Sequence, residues 1–171
     1  MSSTISVVGA SGFLGTRLSK ILNESKINHN IYDISFPRES KNFIDVEDIY
    51  SLDNLKNSSC IINLAAIHRD DVKPLSRYDD VNVNGAVNIC ECARKFGINK
   101  IIFTSSVAIY GFAPKNTGED GKANYFNDYG RTKHEAELVY KKWQKEDASK
   151  RSLIIIRPTV IFGEGNRGNV Y

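Results

Sequence analysis

The sequence predicts an α/β fold, a doubly wound parallel sheet with helices on both faces. Three observations support it: short β-branched runs alternate with amphipathic helical patterns, the runs are continuously apolar, and the first run ends in a glycine-rich turn. Continuous apolar runs indicate strands that are buried on both faces. The predicted strands are residues 5–8, 31–34, 43–45, 60–64, 101–104 and 153–156.

Apolar residues at helical spacing predict three crossover helices between these strands. The first follows the glycine-rich turn, and its stripe consists of Leu14, Leu18, Ile21 and Leu22. The second carries Val83, Ala86, Val87, Cys90 and Ala93 on one face, and the third carries Ala136, Val139, Tyr140 and Trp143. We expect each stripe to pack on the sheet.

Composition is that of an ordinary soluble domain, with 41% hydrophobic and 25% charged residues in a chain of 171. No apolar run approaches the roughly 20 residues that cross a bilayer, and the amino terminus lacks a secretory signal. We therefore expect a cytoplasmic protein without membrane contact. The net charge of +3 is spread along the chain without a basic patch, which argues against a nucleic-acid partner.

Cysteine usage argues against a disulfide framework and a metal site. Cys60, Cys90 and Cys92 are odd in number and lie inside apolar runs, which is typical of small buried side chains. We expect no metal.

Gly9, Gly12 and Gly15 form a GxxGxxG turn directly after the first predicted strand and at the start of the first helix. Such glycines permit a tight turn, close backbone approach to a pyrophosphate and close packing of helix on strand. The helix amino terminus then offers free N–H groups to an anion. The alternative is an ordinary glycine-rich turn.

Asp33 ends the second predicted strand 18 residues after Gly15, near the spacing of about 20 at which a carboxylate binds the adenosine ribose. A 2′-phosphate would bring negative charge against this carboxylate, so NAD is favoured over NADP. Arg38 lies close enough in sequence to keep NADP as the minority case. Asp33 is otherwise a solvated residue at the end of a strand.

Tyr129 and Lys133 are four residues apart, so on a helix both project from one face. A tyrosine titrates near pH 10, which is about three units too high for a base at neutral pH, but a nearby cation stabilises its phenolate. This pair predicts proton transfer with a sugar hydroxyl while hydride moves to or from a nicotinamide. The alternative is an unremarkable surface helix.

Thr104, Ser105 and Ser106 follow a predicted strand at the edge where ligands of open α/β sheets bind. A hydroxyl there is suited to hold the reacting oxygen. The competing interpretation is a helix cap or turn, which is the commoner role of such a run.

These motifs occur in one order: the glycine turn, Asp33, Asn63-Leu64-Ala65-Ala66, Thr104-Ser105-Ser106 and Tyr-x-x-x-Lys. In this order the chain resembles the extended short-chain dehydrogenase/reductase family, whose cofactor domain is Rossmann-like, and within it the sugar-nucleotide epimerases/dehydratases. The resemblance spans essentially the whole chain. It implies a nucleotide-diphosphate sugar as substrate and NAD as cofactor.

The resemblance also implies residue roles. Ser106 and Tyr129 would bind and deprotonate the substrate hydroxyl, and Lys133 would also hold the nicotinamide ribose. The cofactor-binding positions that it implies are Gly9, Gly12, Phe13, Leu14, Gly15, Asp33, Asp45, Val46, Leu64, Ala65, Ala66, Asn82, Thr104, Tyr129, Lys133 and Pro158. Of these, Asp45 and Val46 would lie near the adenine.

Val107 and Ala108 occupy the positions at which family members that remove water typically carry an Asp-Glu pair. Without those acids there is no evident general acid and base for elimination, so we expect an epimerase rather than a dehydratase. A reductase of the same fold and a non-catalytic NAD-binding protein remain as alternatives.

The chain ends soon after the segment that includes Pro158, which in the family passes over the nicotinamide. We expect residues 1–171 to form the NAD-binding domain and residues 164–171 to begin a substrate lobe that is largely absent. Arg167 is a candidate diphosphate contact in that lobe.

A homodimer is a further possibility, because enzymes of this family commonly pair through a bundle that includes the helix with Tyr129. Tyr78, Phe96 and Trp143 would serve either that surface or the core.

Overall fold

The computed structural model describes residues 3–69 and 71–165. The strands are β1 Ile5–Val8, β2 His29–Tyr32, β3 Cys60–Asn63, β4 Lys100–Thr104 and β5 Ser152–Ile156. They form one parallel sheet in the order β2-β1-β3-β4-β5. Successive strands are added on opposite sides of β1, which creates a topological switch between β1 and β3. The predicted α/β class is confirmed.

The helices are α1 Phe13–Glu24, α2 Ser76–Tyr78, α3 Gly85–Phe96 and α4 Asp128–Glu146. Two 3₁₀ segments, Ser51–Leu55 and Val107–Tyr110, lie in the connections. A π-helical segment, Asp79–Asn84, joins α2 to α3 without a break. Helical π segments are rare and often occur at functional sites.

Alternate strand residues bury opposite faces of the sheet. Val8 and Ile61 pack in the larger core with α3 and α4, whereas Val7 and Ile62 pack in a smaller core with Leu22 of α1. Helices therefore cover both faces, as the sequence predicts. Most of the apolar stripe of α4 is fully buried, since Ala136, Tyr140 and Trp143 are all 0% exposed.

The prediction of a strand at residues 43–45 is wrong. Only Phe43 forms an isolated parallel bridge, to Asp33, and the chain then turns toward the first 3₁₀ segment. Side-chain amides explain the difference, because Asn42 Nδ2 donates to the Ile31 carbonyl and Asn54 Nδ2 donates to the Phe43 carbonyl. These amides satisfy the backbone acceptors that a strand ladder would otherwise pair.

Strand β2 begins two residues earlier and ends two residues earlier than predicted. Ile34 lies beyond its end and is 59% exposed. Two residues of the predicted helix stripes also face solvent, namely Ile21 at 57% and Val87 at 39%. Val83 belongs to the π segment rather than to α3. The helices thus contact the sheet over narrower stripes than the apolar pattern suggested.

Burial of β5 on both faces is also wrong. Leu153 and Ile155 pack against the larger core, but Ile154 and Ile156 on the opposite face are 52% and 48% exposed. The helix on that face, α1, packs against β1 and β2 at the other side of the sheet.

Two of the three cysteines are buried and all three are unpaired, as expected. Burial raises the pKa of Cys90 to about 12 and that of Cys92 to about 11, so neither is a reactive thiol at neutral pH. Tyr78 and Trp143 are core residues at 2% and 0% exposure, and Phe96 packs against the same core. The surface role considered for these aromatics is therefore wrong for Tyr78 and Trp143.

Within residues 3–69 and 71–165, none of the helices has the length and apolar character needed to span a bilayer.

Candidate functional site

The candidate residues converge at the carboxyl edge of the sheet. The register pairs Val8 with Tyr32 on one side and with Asn63 on the other, and Asn63 with Phe103 in turn. The strand ends are therefore level, and the residues that follow them share one edge. These are Gly9 after β1, Asp33 after β2, Leu64 after β3 and Ser105 after β4.

Gly9 and Gly15 have no space for a side chain. Gly9 has φ +83°, and a Cβ on it would lie 2.6 Å from the backbone nitrogen of Ala65. A Cβ on Gly15 would lie 2.5 Å from the Ala10 Cα and equally close to the Gly9 carbonyl oxygen. The backbone of the turn therefore packs directly against other backbone atoms. On one side lies the first turn of α1, and on the other the segment that follows β3.

Gly12 faces outward from the same turn. It is the N-cap of α1 and, as a glycine, supplies no side-chain acceptor to the first N–H groups of this helix. A Cβ on Gly12 would meet only the Gly9 carbonyl, at an ordinary 3.5 Å. The exposed, uncapped helix terminus suits a pyrophosphate, so these residues fit a dinucleotide. Phe13 and Leu14 lie in the first turn of α1 and are partly buried.

Asp33 is held next to this turn. Its Oδ2 accepts from the Ser11 backbone N–H at 2.9 Å, and its Oδ1 accepts from the Ser35 N–H at 3.0 Å. The carboxylate thus lies between the glycine turn and the end of β2, and its role as an acceptor for the adenosine ribose stays a prediction. Arg38 is nearby on the exposed surface, with Cζ 5.7 Å from the Phe43 ring centroid.

Asp45 and Val46, expected near the adenine, are held in place by a hydrogen bond and by packing against α3. The backbone N–H of Asp45 donates to Ser51 Oγ at 3.0 Å. Val46 is 6% exposed, and a Cβ on Gly85 would lie 2.8 Å from its Cγ2. The α3 helix can approach this segment closely because residue 85 has no side chain.

The segment 64–66 is fixed by two asparagines. Asn63 Oδ1 accepts from the Ala65 N–H at 3.1 Å, and its Nδ2 donates to Tyr140 Oη at 2.8 Å. Asn82, 5% exposed in the π segment, accepts from the Ile67 N–H at 2.9 Å and donates to the Ile67 carbonyl at 3.0 Å. Leu64, Ala65 and Ala66 are partly buried between these anchors.

Ser106 fulfils the cap interpretation of the hydroxyl run, and its role toward a substrate stays a prediction. It caps the 3₁₀ segment, since its Oγ accepts from the Ala108 N–H at 3.1 Å. This contact uses an oxygen lone pair and leaves the O–H to donate to a substrate oxygen. Thr104 ends β4 and is partly buried, and the Ser105 N–H donates to the Ile156 carbonyl at 2.7 Å.

Tyr129 and Lys133 lie in the first two turns of α4. This helix starts at the N-cap Asn127, whose side chain accepts from the Gly130 N–H at 2.8 Å. Thr132, between the two candidates, is fully buried and receives a hydrogen bond from Asn82 Nδ2 at 3.0 Å. The amino terminus of α4 is therefore tied to the π segment.

Lys133 is buried to an extent that the sequence did not indicate, at 3% exposure. Its Nζ lies 4.5 Å from the centroid of the Phe103 ring. Burial lowers the pKa of Lys133 to about 7, while the carboxylate of Glu137 opposes this shift. The ammonium group expected to activate Tyr129 is therefore not solvated by water. Its protonation depends on the charged groups around it.

Sequence analysis missed Glu137 and Arg157. Glu137 is 0% exposed and accepts from Arg157 Nε at 2.8 Å and Nη2 at 2.7 Å. Burial raises the pKa of Glu137, but the hydrogen bonds and charge of Arg157 outweigh it and hold the pKa below its usual value. One signal was available: Glu137 extends the four-residue spacing of Tyr129 and Lys133 by one more turn.

Pro158 lies beside the Ser106 loop, because its carbonyl accepts from the Val107 N–H at 3.1 Å. The predicted diphosphate contact, Arg167, lies outside the described residues, as does most of the segment 164–171.

This arrangement defines a dinucleotide-binding enzyme fold with a hydroxyl, a tyrosine and a buried lysine near one sheet edge. Residues 5–170 match the NAD dependent epimerase/dehydratase family. The chain belongs to this family, which confirms the resemblance and the expectation of NAD as cofactor.

Two curated relatives illustrate the match. The chain is 45% identical to N-acetyl-alpha-D-glucosaminyl-diphospho-ditrans,octacis-undecaprenol 4-epimerase of Escherichia coli O157:H7, over 100% of this chain and 53% of that protein. It is 30% identical to the UDP-glucose 4-epimerase of Vibrio cholerae, over 99% of this chain and 55% of that protein. The chain thus spans about half the length of these relatives.

A solved structure supports the fold. MoeE5 in complex with UDP-glucose and NAD superposes with a TM-score of 0.86 at 25% identity, over 96% of this chain and 57% of MoeE5.

Proposed function

We propose that the protein is an NAD-dependent epimerase that inverts C4 of a sugar joined to its carrier through a diphosphate. The observation that carries this proposal is the convergence of the uncapped glycine turn, the Ser106 hydroxyl and the Tyr129–Lys133 helix at one edge of the sheet. Family membership and the named 4-epimerases support the reaction type.

When bound, NAD supplies a hydride acceptor that is restored within each turnover. Gly9, Gly12 and Gly15 would hold its pyrophosphate, and Asp33 its adenosine ribose. The other cofactor contacts that we propose are the remaining positions that the family resemblance implies: Phe13, Leu14, Asp45, Val46, Leu64, Ala65, Ala66, Asn82, Thr104 and Pro158.

The protein's own groups handle the proton. Ser106 donates its O–H to the reacting sugar oxygen, and Tyr129 removes the hydroxyl proton of that sugar. Protonated Lys133, one helical turn away, stabilises the Tyr129 phenolate that accepts this proton, and Tyr129 becomes a neutral phenol. The same groups return the proton after the keto sugar has rotated in the site to present its opposite face.

Elimination of water is disfavoured by the residues after Ser106. Val107 and Ala108 form the start of the 3₁₀ segment and bring no carboxyl group there. Glu137, the buried acid on α4, is engaged by Arg157 and is unsuited to act as a free general acid. These observations favour epimerisation over dehydration.

The carrier is a nucleotide or a lipid. A nucleotide-diphosphate sugar is the sequence-based expectation, and the 30% identical relative is named for UDP-glucose. The 45% identical relative is named for a sugar on undecaprenyl diphosphate, which favours the lipid carrier as second candidate. The diphosphate is common to both, and Arg167 is the proposed contact for it.

The experiment incubates the protein, at the full length that its gene encodes, with NAD and three substrates: UDP-glucose, UDP-N-acetylglucosamine and undecaprenyl-diphospho-N-acetylglucosamine. We expect the C4 epimer of at least one, identified by NMR or chromatography, without net change at the NADH absorbance. Stoichiometric NADH consumption with a keto sugar would instead identify the reductase alternative.

Tyr129→Phe tests the chemistry within this assay. Loss of the phenol should lower kcat by about 10²- to 10⁴-fold, the usual contribution of general acid–base catalysis, and should weaken NAD binding much less than it lowers kcat. If Tyr129→Phe keeps full biological output while Gly12→Val abolishes it, the protein is a non-catalytic NAD-binding protein.

We further propose a cytoplasmic homodimer. Buried, unpaired Cys90 and Cys92 are typical of a reducing compartment. Val87 on α3 and Leu138 on α4 are 39% and 52% exposed, and their two helices pack side by side, which supports pairing through this helical face. Light scattering after size exclusion should give a molar mass twice that of one chain. The Leu138→Glu variant should have the mass of a single chain.

A further inference from the structure

A buried ion pair connects the separate parts of the candidate site. Glu137 on α4 is fully buried and forms two parallel hydrogen bonds with the guanidinium of Arg157, at 2.8 and 2.7 Å. Lys141 approaches the same carboxylate from the solvent side, with Nζ 3.2 Å from Oε2. Buried pairs are often no more stabilising than apolar residues of similar size, so stability alone does not account for this one.

Arg157 extends the connection beyond α4. Its Nη1 donates to Tyr110 Oη at 2.5 Å and to the Glu119 carbonyl at 2.7 Å. Tyr110 ends the 3₁₀ segment, and Glu119 lies in the loop between that segment and α4. One side chain thus links the segment after β5, the 3₁₀ segment and the loop before α4.

Each linked element carries or adjoins a group of the proposed mechanism. Lys133 precedes Glu137 by one turn of α4. Ser106 caps the 3₁₀ segment that Tyr110 ends. Pro158 follows Arg157 directly, and its carbonyl holds the N–H of the residue after Ser106. The ion pair therefore connects the helix that carries Lys133 to the segment that Ser106 caps.

We propose that Glu137 and Arg157 are positioning residues of the epimerase: Glu137 keeps Lys133 protonated, and Arg157 fixes Glu137 and the Ser106 loop in one arrangement. This inference rests on the proposed function of Tyr129, Lys133 and Ser106.

The charges around Lys133 support this assignment. From β4 it faces the uncharged Phe103 ring, and in the described part of the chain Glu137 is the one charged group that shifts its pKa. Burial lowers that pKa to about 7 and Glu137 raises it. Glu137 itself faces Arg157 from the segment after β5 and Lys141 from its own helix. Without the carboxylate, Lys133 would be mostly neutral at pH 7 and the Tyr129 phenolate would lose its cation.

The test is Glu137→Gln, with Glu135→Gln as matched control. Glu135 lies on the same helix but pairs with Arg131 on the partly exposed side. Removing the Glu137 charge should shift the acid limb of the kcat profile to higher pH and the alkaline limb to lower pH, narrowing the active range. Because the wild-type pKa of Lys133 is about 7, a fall of one pKa unit would reduce its protonated fraction at pH 7 from about a half to about a tenth, so we expect about a fivefold loss of kcat with KM unchanged. The control should keep the wild-type profile.

A second variant separates this effect from folding. Glu137→Gln leaves Arg157 unpaired, so the double variant Glu137→Gln with Arg157→Met removes both charges together. NMR titration of isotope-labelled lysine measures the ionisation of Lys133 without requiring turnover. We expect the double variant to fold and to show a Lys133 pKa below the wild-type value.

The outcomes are distinguishable. If melting temperature falls but neither the pH profile nor the Lys133 titration moves, the pair is only structural and the proposal is overturned. If wild-type protein turns over no substrate yet the Lys133 titration responds to Glu137→Gln, the electrostatic assignment stands and the proposed epimerase function fails.

Discussion

The glycine turn and the Lys133 pocket, formed by Lys133, Glu137 and Phe103, belong to the same candidate site but are built in opposite ways. At the turn, backbone packs against backbone, and Gly9 and Gly15 have no room for even a Cβ. At the pocket, Lys133 and Glu137 are enclosed by side chains, and their charges are retained by neighbouring groups. The first region should fail when atoms are added. The second should lose its catalytic role, although not its fold, when a charge is removed.

The largest expected effect comes from adding one carbon to the turn. Gly9→Ala introduces a Cβ 2.6 Å from the Ala65 nitrogen at φ +83°, so the turn must shift. We expect NAD affinity to fall more than 100-fold in calorimetry and the free energy of unfolding to fall by about 1–3 kcal/mol or more.

Gly97→Ala is the matched control for this change. Gly97 also has a positive φ, +68°, but nothing lies within 4 Å of its hypothetical Cβ. It should lose only the left-handed strain of about 1–2 kcal/mol and bind NAD normally. Equal losses of NAD affinity in both variants would contradict the role assigned to close packing at the turn.

An intermediate effect is expected from Lys133→Met. Because the folded pKa of about 7 lies below the unfolded value, the unfolded chain binds the proton more readily between pH 7 and pH 10. The wild-type chain without NAD should therefore gain stability as pH rises through this window. Lys133→Met should raise the free energy of unfolding by a few kcal/mol at pH 7, at about 1.4 kcal/mol per pKa unit, with a smaller gain at pH 10.

Activity should be lost in the same Lys133→Met variant. Denaturant unfolding at both pH values gives the measurement, and Lys142→Met on the exposed side of α4 serves as control. If the difference in free energy of unfolding between wild type and Lys133→Met does not change with pH, burial does not lower the pKa of Lys133.

The smallest effect is expected from Asp33→Asn, which keeps the shape of the side chain that accepts from the Ser11 N–H. Loss of the charge should weaken NAD binding about tenfold and relieve repulsion of a 2′-phosphate, so the preference for NAD over NADP should narrow. Fluorescence titration with both cofactors measures this ratio. Asp53→Asn, which affects only a surface pair with Lys95, should leave the ratio unchanged.

Local patterns predicted what local physics decides. The turn of Gly9, Gly12 and Gly15 was readable because glycine is required wherever a Cβ cannot fit, and the continuous apolar runs located four of the five strands within one residue at each end. Helical spacing alone placed Tyr129 and Lys133 one turn apart on α4, and their joint chemical role stays a prediction.

Features that depend on distant contacts were not readable. Phe43 lies in a sequence that resembles a strand, but the side chain of Asn54, 11 residues later, donates a hydrogen bond to its carbonyl. The pairing of Glu137 with Arg157 joins residues 20 apart through a fold that only the assembled sheet creates. The burial of Lys133 likewise depends on Phe103 from another element.

The π-helical segment Asp79–Asn84 bears on how homologous sequences are aligned and on which deletions evolution tolerates. A π segment holds one residue more per turn than an α-helix, so deleting a single residue there would restore a regular helix. It would also rotate the preceding helix by about 100° against α3 and move Asn82 away from Ile67 and Thr132. A one-residue gap at these positions therefore identifies lineages in which the loop after β3 must be anchored by other means.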